Sequence, residues 1–142
     1  MEFMRPVKRF LCMRRHRSSV PTGLVPISDI RTAVVFLNRH TDITEPDKVV
    51  ITRFFEQNGV SWTFISPENE DIRTQSDLFM SLSPVESVHE RYAATSSTAR
   101  FKIGRHQIKG GIFDFVVIDN TVEPRPELDA FRVMRSFIVS IQ

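Results

Sequence analysis

"ARFKIGRHQIKGGIFDFVVID", residues 99–119, decides how this chain folds. Two runs within it, "ARFKIG" (99–104) and "FDFVVID" (113–119), are rich in aromatic and β-branched residues and read as strands. Only residues 105–112 separate them, carrying Arg105, His106, Lys109 and the pair Gly110-Gly111. A parallel crossover ordinarily takes about a dozen residues or more, so the spacing predicts an antiparallel hairpin that turns at the glycines. The same basic residues raise a second reading, a phosphate cradle, and the pattern excludes it. Neither Gly-x4-Gly-Lys-Ser/Thr nor Gly-x-Gly-x-x-Gly occurs, and the segment leads into a strand rather than a helix N-terminus. With five glycines in the whole chain, nucleotide binding of the usual kind is not expected, and neither is a cofactor.

Upstream, "TAVVFLN" (32–38) is a continuous apolar run, the look of a strand covered on both faces. A helix follows: Thr44 is placed to cap it, Pro46 falls in its first turn, Asp47 stands three residues after the cap, and Gly59 ends it in a left-handed conformation. "VSWTFIS" (60–66) alternates Val60, Trp62 and Phe64 as a second strand, which completes a βαβ unit. "LFMSL" (78–82) is a short buried strand. Ser83-Pro84-Val85-Glu86 has the spacing of a helix start, with Val85, Val88, Tyr92 and Ala93 as the inward face. After Pro124 and Pro126, a stripe of Leu128, Phe131, Met134, Ile138 and Ile141 predicts a helix running to the end of the sequence. The order α-β-α-β-β-α-β-β-α predicts a three-layer α/β/α sandwich: a Rossmann-like, mostly parallel five-stranded sheet with one antiparallel hairpin.

The chain has 142 residues and twelve Phe among 41% hydrophobic residues, enough for one domain with a core. Its net charge of +2 is unevenly spread. Residues 1–31 hold seven basic side chains against two acids, and the remainder holds twelve against fifteen. Residues 1–31 read as a basic amphipathic helix, with Phe3, Val7, Phe10 and Leu11 on one side, followed by a Pro-containing connector; residues 32–142 read as a single α/β domain. Cys12 is the only cysteine, which excludes an internal disulfide and suits a reducing compartment. Charges interrupt every apolar run long before the roughly 20 residues needed to cross a bilayer. The expectation is a soluble, cytoplasmic protein without a transmembrane segment.

Chemical motifs are sparse. No two of His16, His40, His89 and His106 stand three or four residues apart, and His89-Glu90 lacks the second histidine of a zinc protease motif, so no metal site is expected. There is no Gly-x-Ser-x-Gly elbow, so no catalytic residue is assigned. Open α/β sheets bind ligands beyond the carboxyl ends of their parallel strands. On the expected topology those ends carry Arg39 and His40, then Ser83, then Arg105 and His106, a set suited to a phosphate- or carboxylate-bearing ligand. Arg5, Lys8, Arg9, Arg14, Arg15 and Arg17, interleaved with Phe3 and Phe10, form the footprint for an alternative reading, nucleic-acid association. A homodimer or a protein partner would suit an uncovered sheet edge.

"TARFKIGRHQIKGGIFDFVVID", with "IRTAVVFLN" ahead of it, resembles a family of small bacterial α/β proteins with no assigned function. The shared features are a basic N-terminal helix, an apolar first strand, and a "K-A-K-F-K-V-G-R"-like strand before an "F-D-F-M-I"-like one. The resemblance implies the α/β fold and no site residues. Taken together, the sequence points first to a non-enzymatic binding or interaction domain, then to a small enzyme or binder of an anionic ligand, then to nucleic-acid association.

Overall fold

The computed structural model describes residues 23–67, 75–108, 111–117 and 127–141. The expected basic N-terminal helix, with its six proposed nucleic-acid contacts and Cys12, lies outside the described residues. So do Lys109 and Gly110. The described chain runs β1 (Thr32–Phe36), α1 (Glu45–Gln57), β2 (Ser61–Ile65), β3 (Leu78–Ser81), α2 (Val88–Ser96), β4 (Phe101–Gly104), β5 (Phe115–Val116) and α3 (Glu127–Ser140). Short 3-10 turns precede β1 (Ile27–Asp29) and follow it (His40–Asp42).

The sheet order is β2-β1-β3-β4-β5, and every neighbouring pair is parallel. The expected antiparallel hairpin is therefore wrong: β5 lies parallel to β4, with Ile103 opposite Phe115 and Gly104 opposite Val116. The length rule misled because it assumes a return along a full strand. Here Asp114 comes back level with Lys102, whose carbonyl accepts its N–H at 2.7 Å and whose own N–H reaches Asp114 Oδ2 at 2.8 Å. That is a return of two residues from Gly104, about 7 Å, and residues 105–114 cover it without a helix. Gln107 braces the connection. Its carboxamide oxygen accepts the N–H groups of Ile108 (3.0 Å) and Phe113 (3.1 Å), and its nitrogen donates to Phe113 O at 3.1 Å. Ile108 and Phe113 are buried under the sheet, and Gly111 turns the chain at φ +69°.

Side-chain alternation sends residues to two layers. Val35, Met80 and Ile103 meet α1 and α3 on one face, through Ile51, Phe54, Phe55, Phe131, Met134 and Ile138. Val34, Phe36 and Phe79 meet α2 on the other face, through Tyr92, Ala93 and Ala94. Helices on both faces of a 2-1-3-4-5 parallel sheet give a doubly wound arrangement, in which strand order reverses between β1 and β3. Thr44 caps α1 through a reciprocal pair of bonds with Asp47, and Gly59 (φ +69°) ends it, as the spacing predicts. α2 departs from expectation. Its cap is Ser87, which accepts from Glu90 N at 3.1 Å, and Val85 is 59% exposed. Two Ser-x-x-Glu registers compete there, and the later one places Tyr92, Ala93 and Ala94 against the sheet.

At the amino edge, Asp77 ties three strands together. Its carboxylate accepts Arg31 N (2.8 Å) and Thr32 N (3.3 Å) at the start of β1, and its carbonyl accepts Arg100 N and Phe101 N at the start of β4. β5 is held from outside by Phe137 of α3, whose ring stacks on Phe115 with centroids 3.6 Å apart.

Candidate functional site

The carboxyl edge of β3 and β4 carries a chain of buried polar groups, and strand alternation explains its layout. Ser81 stands two residues beyond Phe79 and so faces α2. There its hydroxyl donates a hydrogen bond to Glu90 Oε2. Glu90 lies in the first turn of α2, on the face that also buries Ala93 and Ala94, and is itself fully buried. Its second oxygen, Oε1, lies 2.5 Å from His106 Nε2, just past the end of β4. One carboxylate thus bridges a serine hydroxyl and an imidazole, each from a different segment.

His106 titrates above its usual range. The hydrogen bond to Glu90 is the main cause, the charges of Glu90 and Glu86 add to it, and burial and the Arg105 charge oppose it. Its side chain keeps 22% of its surface exposed, yet Nδ1 is buried and has no hydrogen-bond partner among the described residues. A buried polar atom without a partner costs about 1–3 kcal/mol, and such an atom in a folded protein calls for a physical reason.

Arg105 takes the opposite side. Its guanidinium is buried, donates to Leu82 O at 3.2 Å and stands 4.0 Å from Glu127 in the first turn of α3. Burial pushes the Glu127 carboxyl up, with Asp42 adding to the shift and Arg105 opposing it. Adjacent residues at the end of β4 therefore part: Arg105 turns toward α3, and His106 toward α2.

The other sequence-predicted residues are spread along the same edge. Ser83 is buried, but it caps no helix; its hydroxyl donates to Val85 O at 2.7 Å. Arg39 is exposed after β1, its N–H bonded to Asp42 Oδ2 at 3.0 Å. The side chain of His40 lies outside the described residues. Ser81, Glu90 and Glu127 were missed as partners of the site. The signal for Glu90 was its position: it precedes Ala93 and Ala94 by three and four residues, on the apolar stripe of a helix where a carboxylate needs a buried partner.

Two recesses elsewhere on the surface hold none of these residues. A groove of about 650 Å³ between α1 and β2 is lined by Lys48, Arg53, Trp62 and Phe64 among others, and one of about 540 Å³ lies between α1 and α3. Neither contains a buried ionisable group, so the polar chain at the carboxyl edge is the stronger chemical signal.

What this chain can do chemically follows from its order. In an activated serine nucleophile the hydroxyl gives its proton to a histidine, and an acid orients that histidine from behind. Here the carboxylate sits in the middle, so Ser81 donates to Glu90 and does not meet the histidine. The arrangement positions an imidazole and differs from the serine–histidine–acid order. No group of three or more His, Cys, Asp or Glu side chains among the described residues is placed to hold a metal ion. No described helix is long and apolar enough to cross a membrane. Comparison with protein-family models, curated proteins and solved structures finds no match for this chain.

Proposed function

We propose that the chain is a non-enzymatic binding domain that takes a small anionic ligand at the carboxyl edge of its sheet, beside β3 and β4. The observation that carries this reading is the fully buried Glu90 holding His106 at that edge. A buried carboxylate–imidazole pair contributes little net stability over a well-packed apolar pair, so its placement at the ligand-binding edge of a doubly wound sheet favours a functional role. The parallel course of β4 supports it too, because it delivers Arg105 and His106 to the same edge as Ser83. The place of Glu90 between Ser81 and His106 favours binding over nucleophilic catalysis.

Amide chemical-shift mapping of the full chain during titration with sulfate, and separately with acetate, tests this reading. The expected perturbations fall on residues 81–87 and 104–108. Shifts confined to the α1–β2 groove, or none with either anion, would contradict it.

A further inference from the structure

We propose that His106 Nδ1 is the atom that grips the anion, and that the site binds an oxyanion only with its imidazole protonated, so that binding is coupled to uptake of a proton. This rests on the binding reading above and adds the contact atom, the ligand chemistry and the regulation.

The two ring nitrogens of His106 have different surroundings. Nε2 is committed to Glu90 Oε1 at 2.5 Å, and a carboxylate accepts, so Nε2 carries a hydrogen. Nδ1 is buried and left without a partner among the described residues, while the side chain keeps 22% of its surface exposed, so a ligand reaches Nδ1 by displacing what covers it. In the neutral ring Nδ1 is an acceptor; in the imidazolium it is a donor. The groups facing the ring decide between these forms. Glu90 comes from α2, Glu86 from the segment ahead of it, and Arg105 precedes His106 on the chain. Glu90, in hydrogen-bond contact with the ring, outweighs Arg105, whose charge is partly met by Glu127 at 4.0 Å; Glu86 adds less, because Arg91 pairs with it. The imidazolium is favoured, in agreement with the raised titration of His106. A donor at Nδ1 calls for an acceptor with negative charge, and the oxygen of a phosphate or a carboxylate supplies one. The Ser81–Glu90 hydrogen bond then has a role: it fixes the carboxylate that fixes the ring, making Glu90 a positioning residue.

The proton balance is simple. Above the His106 midpoint, the free protein with neutral His106 and the oxyanion combine with one proton from solvent, which resides on Nδ1 and is hydrogen-bonded to the ligand oxygen; below it the ring already carries that proton and none is taken up. No covalent bond forms.

The test is a titration of the full-length protein with sulfate, whose charge is constant near neutrality, and with acetate, each at pH values below and above the His106 midpoint. Amide shifts give the affinity, and the ring nitrogens of His106 are followed in the same samples. Expected is an affinity that falls about tenfold per pH unit above that midpoint, a midpoint that rises when the anion is present, and a ligand-induced shift at Nδ1. Preference for sulfate points to a tetrahedral phosphate-type group, and preference for acetate to a carboxylate. Glu90→Gln should lower the midpoint and move the loss of binding to lower pH, whereas Lys48→Ala in the α1–β2 groove should change neither. Anion binding at residues 81–87 and 104–108 that is independent of pH and leaves Nδ1 unmoved would overturn this inference while leaving the binding domain intact. Absence of any shift at that edge would overturn both. The ring-nitrogen readout uses the unaltered protein, so it holds even where a His106 variant fails to fold.

Discussion

A single methyl group at Gly104 tests the parallel return of β5. A Cβ built at that position stands 2.6 Å from Phe113 Cε2, 2.7 Å from Cζ and 2.8 Å from Cδ2. Carbon atoms in contact prefer about 3.5–4.0 Å, so the ring would have to retreat by roughly 1 Å. It has little room to do so. Phe113 is buried and stacks on Phe79 with centroids 6.4 Å apart, and Gln107 holds its backbone N–H and carbonyl. Overpacking of this kind costs about 1–3 kcal/mol, and Gly104→Ala should destabilise the protein by that much. Phe113→Leu alone also destabilises, by leaving unfilled space. In combination the two should compensate, with a coupling of about 1 kcal/mol or more, because leucine withdraws the atoms that the new methyl meets. Urea unfolding followed by the fluorescence of Trp62, the only tryptophan, measures all four proteins from a reporter on the far edge strand. A Gly104→Ala protein within about 0.5 kcal/mol of the parent, or strict additivity in the double variant, would refute the packing of the β4–β5 connection described here.

Three further outcomes follow from named contacts. Lys102 is buried on the α2 face, and its ammonium donates to Ala94 O at 2.7 Å near the end of that helix; Lys102→Met should cost about 1–3 kcal/mol in urea unfolding. Asp77→Ala removes the acceptor for the N–H groups of Arg31 and Thr32 at the amino edge and should destabilise by about 1–3 kcal/mol, yet leave anion-induced shifts at the carboxyl edge unchanged. The third concerns pH. The folded state raises the His106 pKa above its unfolded value of about 6.5, so the stability it contributes is complete below that value and is lost as pH rises through the folded pKa. Urea midpoints across this window should therefore fall for the parent protein. They should fall less for Glu90→Gln, which loses the principal cause of the shift.

Elements with strong local punctuation were legible in the sequence. Thr44, Asp47 and Gly59 bound α1 because capping and a left-handed glycine are decided within a few residues. The stripe Phe131, Met134 and Ile138 identified α3 because its period is that of a buried helix face. The direction of β5 was not legible. It depends on how far the chain must return, and that distance is set by the two-residue overlap and the Gln107 brace rather than by composition. The start of α2 was misread for a related reason. Ser83 and Ser87 both offer a cap, and burial of Tyr92, Ala93 and Ala94 selects between them. At the site, Arg105 and His106 were visible as residues, but their separation onto opposite faces was not. It arises from the alternation of β4 continued past Gly104, which carries one side chain toward Glu127 and the other toward Glu90. Glu90 itself is an ordinary helix carboxylate until tertiary structure places Ser81 and His106 on either side of it.

The proposed site stands on a buried carboxylate that favours the charged form of an imidazole at the carboxyl edge of the sheet. The most direct measurement is the pH titration of the His106 ring nitrogens by nuclear magnetic resonance in the ligand-free protein and in Glu90→Gln. The structure predicts a midpoint above the ordinary histidine value of about 6.5 in the parent and a lower one in the variant, with Nε2 carrying its hydrogen in both protonation states of the parent. A midpoint at or below that ordinary value, or one unmoved by Glu90→Gln, would contradict the account.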